Sequence, residues 1–446
     1  MEGEQMKRKI LTVAGLSACL ALGSLAGCGQ KEEDTARIYY LNYKPESTDA
    51  WKEIAEVYEE KTGVEVRILT AASGSYEQTL KSEIAKQGAP TLFQINGPVD
   101  YAKWKNYCRD LSDTELYSWL IEPDMAVTGE NGVYGIPYVV EGYGIIYNDS
   151  VMQKYFSLTS RKTDFMGMEE VNNFSKLKAL VEDMSEHLDE LGIEGVFAST
   201  SFSEGEEWRW KTHLMNLPVY YEFTEKGIAD EPELDFSYEE NFKNIFDLYV
   251  NNSCAAPEEL ASKTVDNSME EFALGKAAMV QNGNWAWGQI SQIDGNQVKE
   301  TDVKFLPIYI GADGEEKQGL CIGTESYICV SSLASEADQQ ASIDFLEWLY
   351  GSEEGKKYVT NSLGFISPFS TFSYEESPSD PLARQVVSNI SDTSKKSVNW
   401  DFTAFPNESF KNELAKMLHE YCIGKVSWDQ VVQSTKENWA SGKAAE

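Results

Sequence analysis

The sequence contains little of the material from which most metal centres and enzyme active sites are built. Its 446 residues include only three histidines, His187, His213 and His419, which lie far apart along the chain. The H-E-x-x-H, G-x-S-x-G and Walker motifs are absent. We therefore expect no metal and no cofactor, and the motifs offer no support for an enzyme.

Positive charge is also scarce. The chain has 38 lysines and arginines against 73 aspartates and glutamates, a formal net charge of -35. A surface of that sign repels nucleic acid and anionic lipid headgroups, so neither is an expected partner. The hydrophobic fraction of 42% and the aromatic fraction of 12% are instead typical of a folded globular protein.

Long apolar runs are missing beyond the N-terminus. There, Lys7-Arg8-Lys9 precede the apolar stretch "ILTVAGLSACLALGSLA" at 10–26, a pattern typical of an export signal. This stretch is short for a permanent membrane span, which needs about 20 apolar residues. The sequence thus predicts an extracytoplasmic protein whose body does not cross the membrane.

The end of this leader, Leu25-Ala26-Gly27-Cys28, resembles a bacterial lipobox. The resemblance implies that residues 1–27 are removed as a signal peptide and that Cys28 is lipidated, with residues 28–36 as the lipidated N-terminus and tether. Buried acyl chains would then anchor the protein to the membrane surface. The alternative is a plain secretory signal with an incidental cysteine.

Cysteine is too sparse for a disulfide framework. Of seven cysteines, Cys19 lies in the leader and Cys28 at its end, which leaves an odd number without metal-site spacing. Cys321 and Cys329 flank Glu325 symmetrically and could face each other across a hairpin. Buried free thiols are the favoured alternative.

The first part of the body alternates between strand and helix patterns. Buried or alternating apolar runs predict strands, and a spacing of three to four residues between apolar side chains predicts the helices between them. In order, these segments are "IYYLNY" (38–43), "DAWKEIAEVYEEKTG" (49–63), "VEVRI" (64–68), a helix around Tyr76 and Leu80, and "TLFQI" (91–95). This rhythm predicts an α/β fold with a parallel sheet flanked by helices.

Open parallel sheets bind ligands in the crevice beyond the carboxyl ends of their strands. Three loops follow the predicted strands there, at 42–47, 71–76 and 96–100. By position they contribute four candidate ligand contacts: Lys44, Glu46, Tyr76 and Asn96. Asn96 has an alternative role as a turn residue beside Gly97.

Four blocks of sequence resemble the extracellular solute-binding proteins of carbohydrate ABC importers, the maltose-binding-protein-like family. These blocks are "GVYGIPYVVEGYGIIYN" (132–148), "EEFALGKAAMVQNGNWAW" (270–287), "VKFLPI" (303–308) and "IDFLEWLYGSEEGKKYV" (343–359). They occur in the family's order behind a lipobox, and the similarity extends over about 37–440.

The resemblance implies a two-lobed, periplasmic-binding-protein-like α/β fold with hinge crossings. Lobe one would hold 37–145 plus 288–340, and lobe two 146–287 plus 341–446. A monomer of this kind captures an oligosaccharide between its lobes and delivers it to ABC permease subunits in the membrane.

Two tryptophans in "NGNWAW" are the strongest candidates for a site. A helix beginning at Asn284 separates Trp285 and Trp287 by about 200° around its axis, so one stacks on a ligand while the other packs. By the family pattern the stacking residue is Trp285 and the matching carboxylate is Glu141. The alternatives are a core role for both tryptophans and a solvated loop position for Glu141.

Further candidates come from the family pattern with a looser match. Tyr143 is a second aromatic wall or a core residue. In lobe two, "GEEWRWKTHLMN" (205–216) supplies Trp208, Trp210 and His213, and "SVNWDFTAF" supplies Trp400, for which a surface-anchored core role is the alternative. The segment at 93–100 lacks the tryptophan and aspartate of maltose-binding proteins, which argues against maltose, while eleven tryptophans favour a ligand larger than one ring.

Two other classes of function compete with this interpretation. A lipid-anchored surface glycosidase would also need tryptophans and paired carboxylates, but with 73 acids such pairs discriminate little. A binding protein for a polyamine, a peptide or a metal is the other alternative. A polyamine site should show carboxylates around the aromatics, which Glu141 alone does not establish.

Overall fold

The computed structural model describes residues 36–72 and 75–445. The predicted leader, Cys28 and the start of the tether lie outside these residues. Within the described part the strands are β1 Arg37–Asn42, β2 Glu65–Thr70, β3 Leu92–Ile95, β4 Val127–Gly129, β5 Gly132–Pro137, β6 Glu141–Asn148, β7 Gly195–Phe197, β8 Ala277–Gly283, β9 Val303–Leu306, β10 Gln318–Gly323, β11 Tyr327–Val330 and β12 Lys396–Val398.

The α-helices of the same residues are α1 Thr48–Thr62, α2 Tyr76–Ile84, α3 Pro98–Trp104, α4 Glu115–Ser118, α5 Asp149–Phe156, α6 Phe174–Ser185, α7 Leu188–Leu191, α8 Asn216–Lys226, α9 Glu239–Asn251, α10 Val265–Ala273, α11 Ala286–Ser291, α12 Glu336–Gly351, α13 Glu353–Lys357, α14 Pro381–Ser391, α15 Glu408–Cys422 and α16 Trp428–Lys443. Two short π-helical segments occur at Arg209–Leu214 and Tyr358–Ser362.

The first sheet has the strand order β2-β1-β3-β11-β5-β4. Strand β1 pairs in parallel with β2 and with β3, which confirms the predicted parallel start of the fold. Helix α1 crosses between β1 and β2 and buries Trp51, Ile54, Ala55 and Tyr58, the four residues that recur at helical spacing. Gly63 ends this helix in the left-handed conformation, with φ of 75°.

The second sheet has the order β12-β10-β6-β8-β7, and β9 pairs with β6 off this path. Strand β6 is central, and all eight of its residues are buried. Its antiparallel partner β8 is buried throughout as well. The ends of these two strands position Glu141, Tyr143 and Trp285.

The chain passes between the sheets more than once. Residues 138–140 join β5 to β6, and residues 324–326 join β10 to β11. The chain crosses a third time between α12 and α14. Helix α12 packs on β1 and β11 of the first sheet, and α14 packs on β6, β9 and β10 of the second. The crossings between two lobes that the resemblance implies are therefore present.

The sheets divide the chain differently from the predicted lobe boundaries. Strands β9 and β10 fall in the predicted lobe-one segment 288–340, yet they belong to the second sheet because both pair with β6. Helix α12 falls mostly in the predicted lobe two, yet its apolar side covers the first sheet. Helical periodicity predicts that α12 has an apolar face, but not which sheet that face covers.

Cys321 and Cys329 do not form a hairpin pair. Cys321 lies in β10 of the second sheet and Cys329 in β11 of the first, on either side of the passage at 324–326. Both are buried free thiols, which was the favoured alternative.

Glu315 ties the loop between β9 and β10 to α6. Its buried carboxylate accepts hydrogen bonds from the backbone N–H groups of Phe174, Ile310 and Gly311, at 2.6, 2.9 and 2.8 Å. Backbone N–H groups buried without an acceptor are costly, so this one side chain satisfies three donors at once.

We expect Glu315→Ala to lower the free energy of unfolding by about 1–3 kcal/mol, because three backbone N–H groups lose their acceptor and that of Ile310 is buried. Urea denaturation followed by circular dichroism measures the change. Glu316→Ala is the matched control, since Glu316 is the exposed neighbour. Equal stability of the two variants would contradict the assignment.

Candidate functional site

The register between β6 and β8 brings the two strongest candidates together. Tyr143 pairs with Gly283, and continuing this antiparallel register by two residues places Glu141 opposite Trp285. Asn284 extends the pairing, because its backbone N–H donates to the Gly142 carbonyl and its Oδ1 accepts from the Gly142 N–H, both at 2.9 Å. Strand pairing therefore sets the position of the carboxylate relative to the indole.

Trp285 precedes α11 as its N-terminal cap, and Trp287 lies within the helix. Trp287 packs against the core of α10, α11 and β8 on the second sheet. Trp285 points elsewhere, with its ring centroid 5.7 Å from that of His213. Trp287 therefore packs against the core and Trp285 points towards His213, in different directions as the helical spacing predicts.

A buried ion pair connects the two sheets next to Trp285. Lys44 follows β1 of the first sheet, and its Nζ lies 2.8 and 2.9 Å from the two carboxylate oxygens of Glu141, the first residue of β6. Both side chains are less than a tenth exposed. Burial acts to lower the pKa of Lys44, but the charges of Glu141 and Glu46 outweigh it and raise that pKa.

The ammonium of Lys44 also faces aromatic rings. Its Nζ lies 5.8 Å from the centroid of the Trp285 ring and 6.0 Å from that of Tyr43. Glu46 is a weaker partner, with its carboxylate 4.0 Å from the same Nζ. Lys44, Glu46, Glu141 and Trp285, which come from distant parts of the sequence, therefore meet in one place.

Behind this ion pair lies an aromatic cluster formed by Tyr143, Trp208, His213, Trp285, Trp400 and Phe402. The His213 ring stacks on Tyr143 with a centroid distance of 4.2 Å and contacts Trp208 edge-on at 4.9 Å. Trp400 lies 5.5 Å from Tyr143. The cluster thus unites the predicted aromatics from 141–148, 205–216 and 397–405.

His213 is the polar centre of the cluster, and its surroundings favour the neutral imidazole. Burial and the positive charges of Arg209 and Lys44 hold its pKa well below the usual value. Its backbone carbonyl accepts a hydrogen bond of 3.0 Å from the Tyr143 hydroxyl. The Nδ1 of His213 and the Nε1 of Trp400 are buried, with no partner among the described residues. Each is a buried polar atom that a hydrogen bond to a ligand would satisfy.

Two of the aromatic candidates, Trp210 and Tyr76, lie outside the cluster. Trp210 is fully buried in the core of the second sheet, where it stacks on Phe202 with a centroid distance of 5.2 Å. The hydroxyl of Tyr76 accepts from the Gln94 N–H at 2.7 Å, and its ring packs edge-on against Tyr43. Trp210 and Tyr76 therefore support neighbouring structure. Trp208 and Trp210 are only two residues apart, so a helical turn sends them in different directions.

Asn96 lines a pocket beside the cluster. Its backbone N–H donates to Asp100 at 3.1 Å, and its side chain is partly exposed. The polar lining of this pocket comes from α3, α15 and the passage at 324–326: Asn96, Asp100, Lys103, Glu325, Asn407, Glu408 and Lys411. The pocket therefore lies where the chain crosses between the two sheets.

Sequence analysis missed Glu325, Tyr43 and Phe402. Glu325 lies on the passage between β10 and β11, where burial raises its pKa to about 7 although Lys411 and Lys44 lower it. Tyr43 lies among carboxylates, and the charge of Glu325 is the main reason that its pKa is raised. The symmetry of "GLCIGTESYICV" about Glu325 marks the turn, but nothing in it indicates that two sheets meet there.

No group of histidine, cysteine, aspartate and glutamate in residues 36–72 and 75–445 is arranged to hold a metal ion. In the same residues no helix is long and apolar enough to span a bilayer.

The chain has the same two-lobed α/β fold as several solved binding proteins. A chitin oligosaccharide binding protein is 16% identical, with 92% of this chain and 100% of that chain covered at a TM-score of 0.69. The GacH receptor of Streptomyces glaucescens, solved unliganded and with acarbose, is 16% identical at 0.67, with 92% and 99% covered. RafE in complex with raffinose is 16% identical at 0.67, with 92% and 100% covered.

Residues 53–385 match the family model for bacterial extracellular solute-binding proteins, and the chain belongs to that family. It is accordingly a binding protein that serves transport and not an enzyme, as the sequence resemblance implied. No curated protein matches the chain.

We expect Lys44→Met to lower the free energy of unfolding by about 3 kcal/mol, because Glu141 then remains buried without a counter-ion. Replacing both residues, as Lys44→Met with Glu141→Gln, should recover more than half of that loss. Chemical denaturation measures each variant.

Lys52→Met is the control for this cycle, since Lys52 forms an exposed ion pair with Asp49. Exposed pairs contribute less than about 1 kcal/mol. A loss in Lys44→Met no larger than that in Lys52→Met would show that the buried pair does not stabilise the fold.

Proposed function

We propose that the protein is the substrate-binding component of an ABC importer that captures an oligosaccharide between its lobes and delivers it to a membrane permease. The observation that carries this proposal is the meeting of an indole, Trp285, and a carboxylate, Glu141, where the two sheets join. Membership of the solute-binding family supplies the fold and the transport role.

The chemistry of the site suits a sugar. A pyranose ring presents C–H groups on its face and hydroxyls around its rim, so it needs flat aromatic side chains and polar groups that donate and accept. The aromatic cluster supplies the rings. Around it, Glu141, Asn96, the Trp400 Nε1 and the His213 Nδ1 supply polar atoms of both kinds.

The candidate ligand contacts therefore divide by role. Trp285, Trp208 and Trp400 would cover sugar faces, with Tyr143 and His213 as the backing of that wall. Glu141, Lys44, Glu46 and Asn96 would meet hydroxyls. The known ligands of similar structures, which include acarbose, raffinose and stachyose, support a ligand of more than one ring.

Closure of the lobes would couple ligand binding to transport. Lys44 comes from the first sheet, while Glu141 and Trp285 belong to the second, so their contacts exist only when the two sheets are close. A ligand bound among these residues would stabilise the closed form, which the permease can distinguish from the open one.

The glycosidase alternative needs two free carboxyl groups that flank a glycosidic bond. Glu141 is held by Lys44 through both of its oxygens, which disfavours a role as general acid. Family membership also places the chain among binding proteins, so the importer function is better supported.

We further propose that the protein acts outside the cell, anchored to the membrane by lipidated Cys28 and functioning as a monomer. The lipobox-like Leu25-Ala26-Gly27-Cys28 and the apolar leader before it support this placement. A membrane anchor raises the local concentration of a solute-binding protein near its permease.

The test of function is titration of residues 30–446 with malto-, galacto-, fructo-, xylo- and manno-oligosaccharides, followed by tryptophan fluorescence and calorimetry. We expect saturable binding of one class without consumption of the sugar. Trp285→Ala should weaken that binding at least tenfold, about 1.4 kcal/mol, through loss of the stacking face.

Trp287→Ala is the matched control, because Trp287 packs in the core two residues away. An equal effect of the two substitutions on affinity would contradict the role of Trp285. Appearance of cleavage products would favour the glycosidase, and binding of spermidine or peptides without any sugar would contradict the oligosaccharide.

Lipidation is tested by producing the full chain in a bacterium supplied with labelled palmitate. We expect label in the wild-type protein and in Cys19→Ala, and none in Cys28→Ala. Label that persists in Cys28→Ala, or an unlabelled wild type, would contradict the anchor.

A further inference from the structure

The guanidinium of Arg209 is a buried charge without a hydrogen-bond partner. The residue is 0% exposed, and its Nε, Nη1 and Nη2 atoms have no acceptor among residues 36–72 and 75–445. A guanidinium carries five N–H donors and stays protonated at neutral pH. Burying a charged group without hydrogen bonds is among the costliest arrangements in a protein. An acceptor from outside the chain would satisfy these donors.

Arg209 packs on the aromatic cluster of the candidate site. Its Cζ lies 4.1 Å from the centroid of the Trp208 ring. The centroid of that ring is 6.1 Å from that of Trp285 and 4.9 Å from that of His213. Trp208 is partly exposed, whereas Arg209 is not. The unpaired charge therefore lies directly against one of the tryptophans that we propose to contact the sugar.

Main-chain contacts hold Arg209 in this position. The residue begins the π-helical segment Arg209–Leu214, and its carbonyl oxygen accepts a hydrogen bond of 3.0 Å from the Nε2 of Gln281 in β8. Strand β8 ends two residues before Trp285. Short π-helical segments occur frequently at functional sites. The backbone thus places the guanidinium relative to Trp285 without the help of a salt bridge to its side chain.

The acids nearest in effect to Arg209 do not bind it. Burial lowers the pKa of Arg209 to about 9, although the charges of Glu206 and Asp266 raise it. The Glu206 carboxylate accepts from the backbone N–H of Val265 at 2.6 Å, and Asp266 lies in the first turn of α10. Within the described ranges neither carboxylate hydrogen-bonds the guanidinium. The donors of Arg209 are therefore left for another acceptor.

We infer that the imported ligand is an acidic oligosaccharide and that Arg209 binds the carboxylate of one of its uronic acid rings. This inference rests on the proposed oligosaccharide function. A carboxylate matches a guanidinium because its two oxygens accept two parallel N–H bonds. The Trp208 ring packs on the guanidinium, so it would move aside as the carboxylate enters, while Trp285 stacks on a sugar face. A neutral sugar offers Arg209 no charged acceptor.

Ligands of equal length and linkage test the effect of charge alone. Oligomers of galacturonic, glucuronic, mannuronic and guluronic acid are each compared with the carboxyl-reduced oligomer, in which every carboxylate is replaced by a hydroxymethyl group. We expect calorimetry at pH 7 to give at least tenfold tighter binding of the acidic member in one of these pairs. In Arg209→Met the ratio of the two affinities should fall to about threefold or less. Arg209→Lys keeps the charge but not the planar fork, so its ratio should be intermediate.

Arg384→Met is the matched control, since Arg384 is exposed and pairs with Glu300 at 2.7 Å. It should keep the wild-type ratio, and circular dichroism of each variant checks that it is folded. An Arg209→Met protein that keeps the full preference for the acidic oligomer would overturn the role of Arg209.

The stability of the free protein provides a readout besides binding. An unpaired buried charge does not stabilise a fold, so we expect Arg209→Met to unfold at the same urea concentration as the wild type or at a higher one. A clear loss of stability in the absence of ligand would show that partners within the protein already satisfy Arg209. That result would overturn the inference.

The remaining outcomes separate the inference from the function on which it rests. A preference below threefold for the acidic member in every pair, or tighter binding of the neutral one, would overturn the acidic-sugar inference and leave the oligosaccharide function intact. Binding of succinate or an acidic peptide with no binding of any oligosaccharide would overturn both. Binding of no sugar and no carboxylate would overturn the proposed function itself.

Discussion

The buried ion pair between Lys44 and Glu141 is the contact on which the arrangement of the site depends. Lys44 follows a strand of the first sheet, Glu141 begins a strand of the second, and both side chains are removed from water. A carboxylate buried alone is expensive, so the pair favours a single arrangement of the two sheets. The same pair holds a cation over Trp285, and charge and aromatic surface therefore meet at one point.

That arrangement requires the second sheet to present its residues in register. The pairing of β6 with β8 and the two hydrogen bonds between Asn284 and Gly142 place Glu141 and Trp285 opposite each other. A shift of one residue would turn one of them to the other face of the sheet. The ion pair and the strand register are thus two parts of one constraint, and the aromatic cluster is built behind them.

Much of the local structure follows from the sequence. The parallel β1, β2 and β3, the buried face of α1 and the opposite directions of Trp285 and Trp287 all result from short-range periodicity. Membership of the solute-binding family also follows from the blocks that surround these residues. Periodicity did not distinguish Trp208 from Trp210, because Trp208 caps and Trp210 lies within a π-helical stretch whose spacing is not that of an ordinary helix.

The sequence by itself determined the strands, the helices, the excess of acid and the residue types suited to a sugar, because these depend on neighbours a few positions apart. Only the tertiary structure decided that β9 and β10 join the second sheet and that Lys44 pairs with Glu141. Each of these depends on pairing between segments separated by tens to hundreds of residues. No local sequence pattern predicts which distant charged residue will pair with a buried carboxylate.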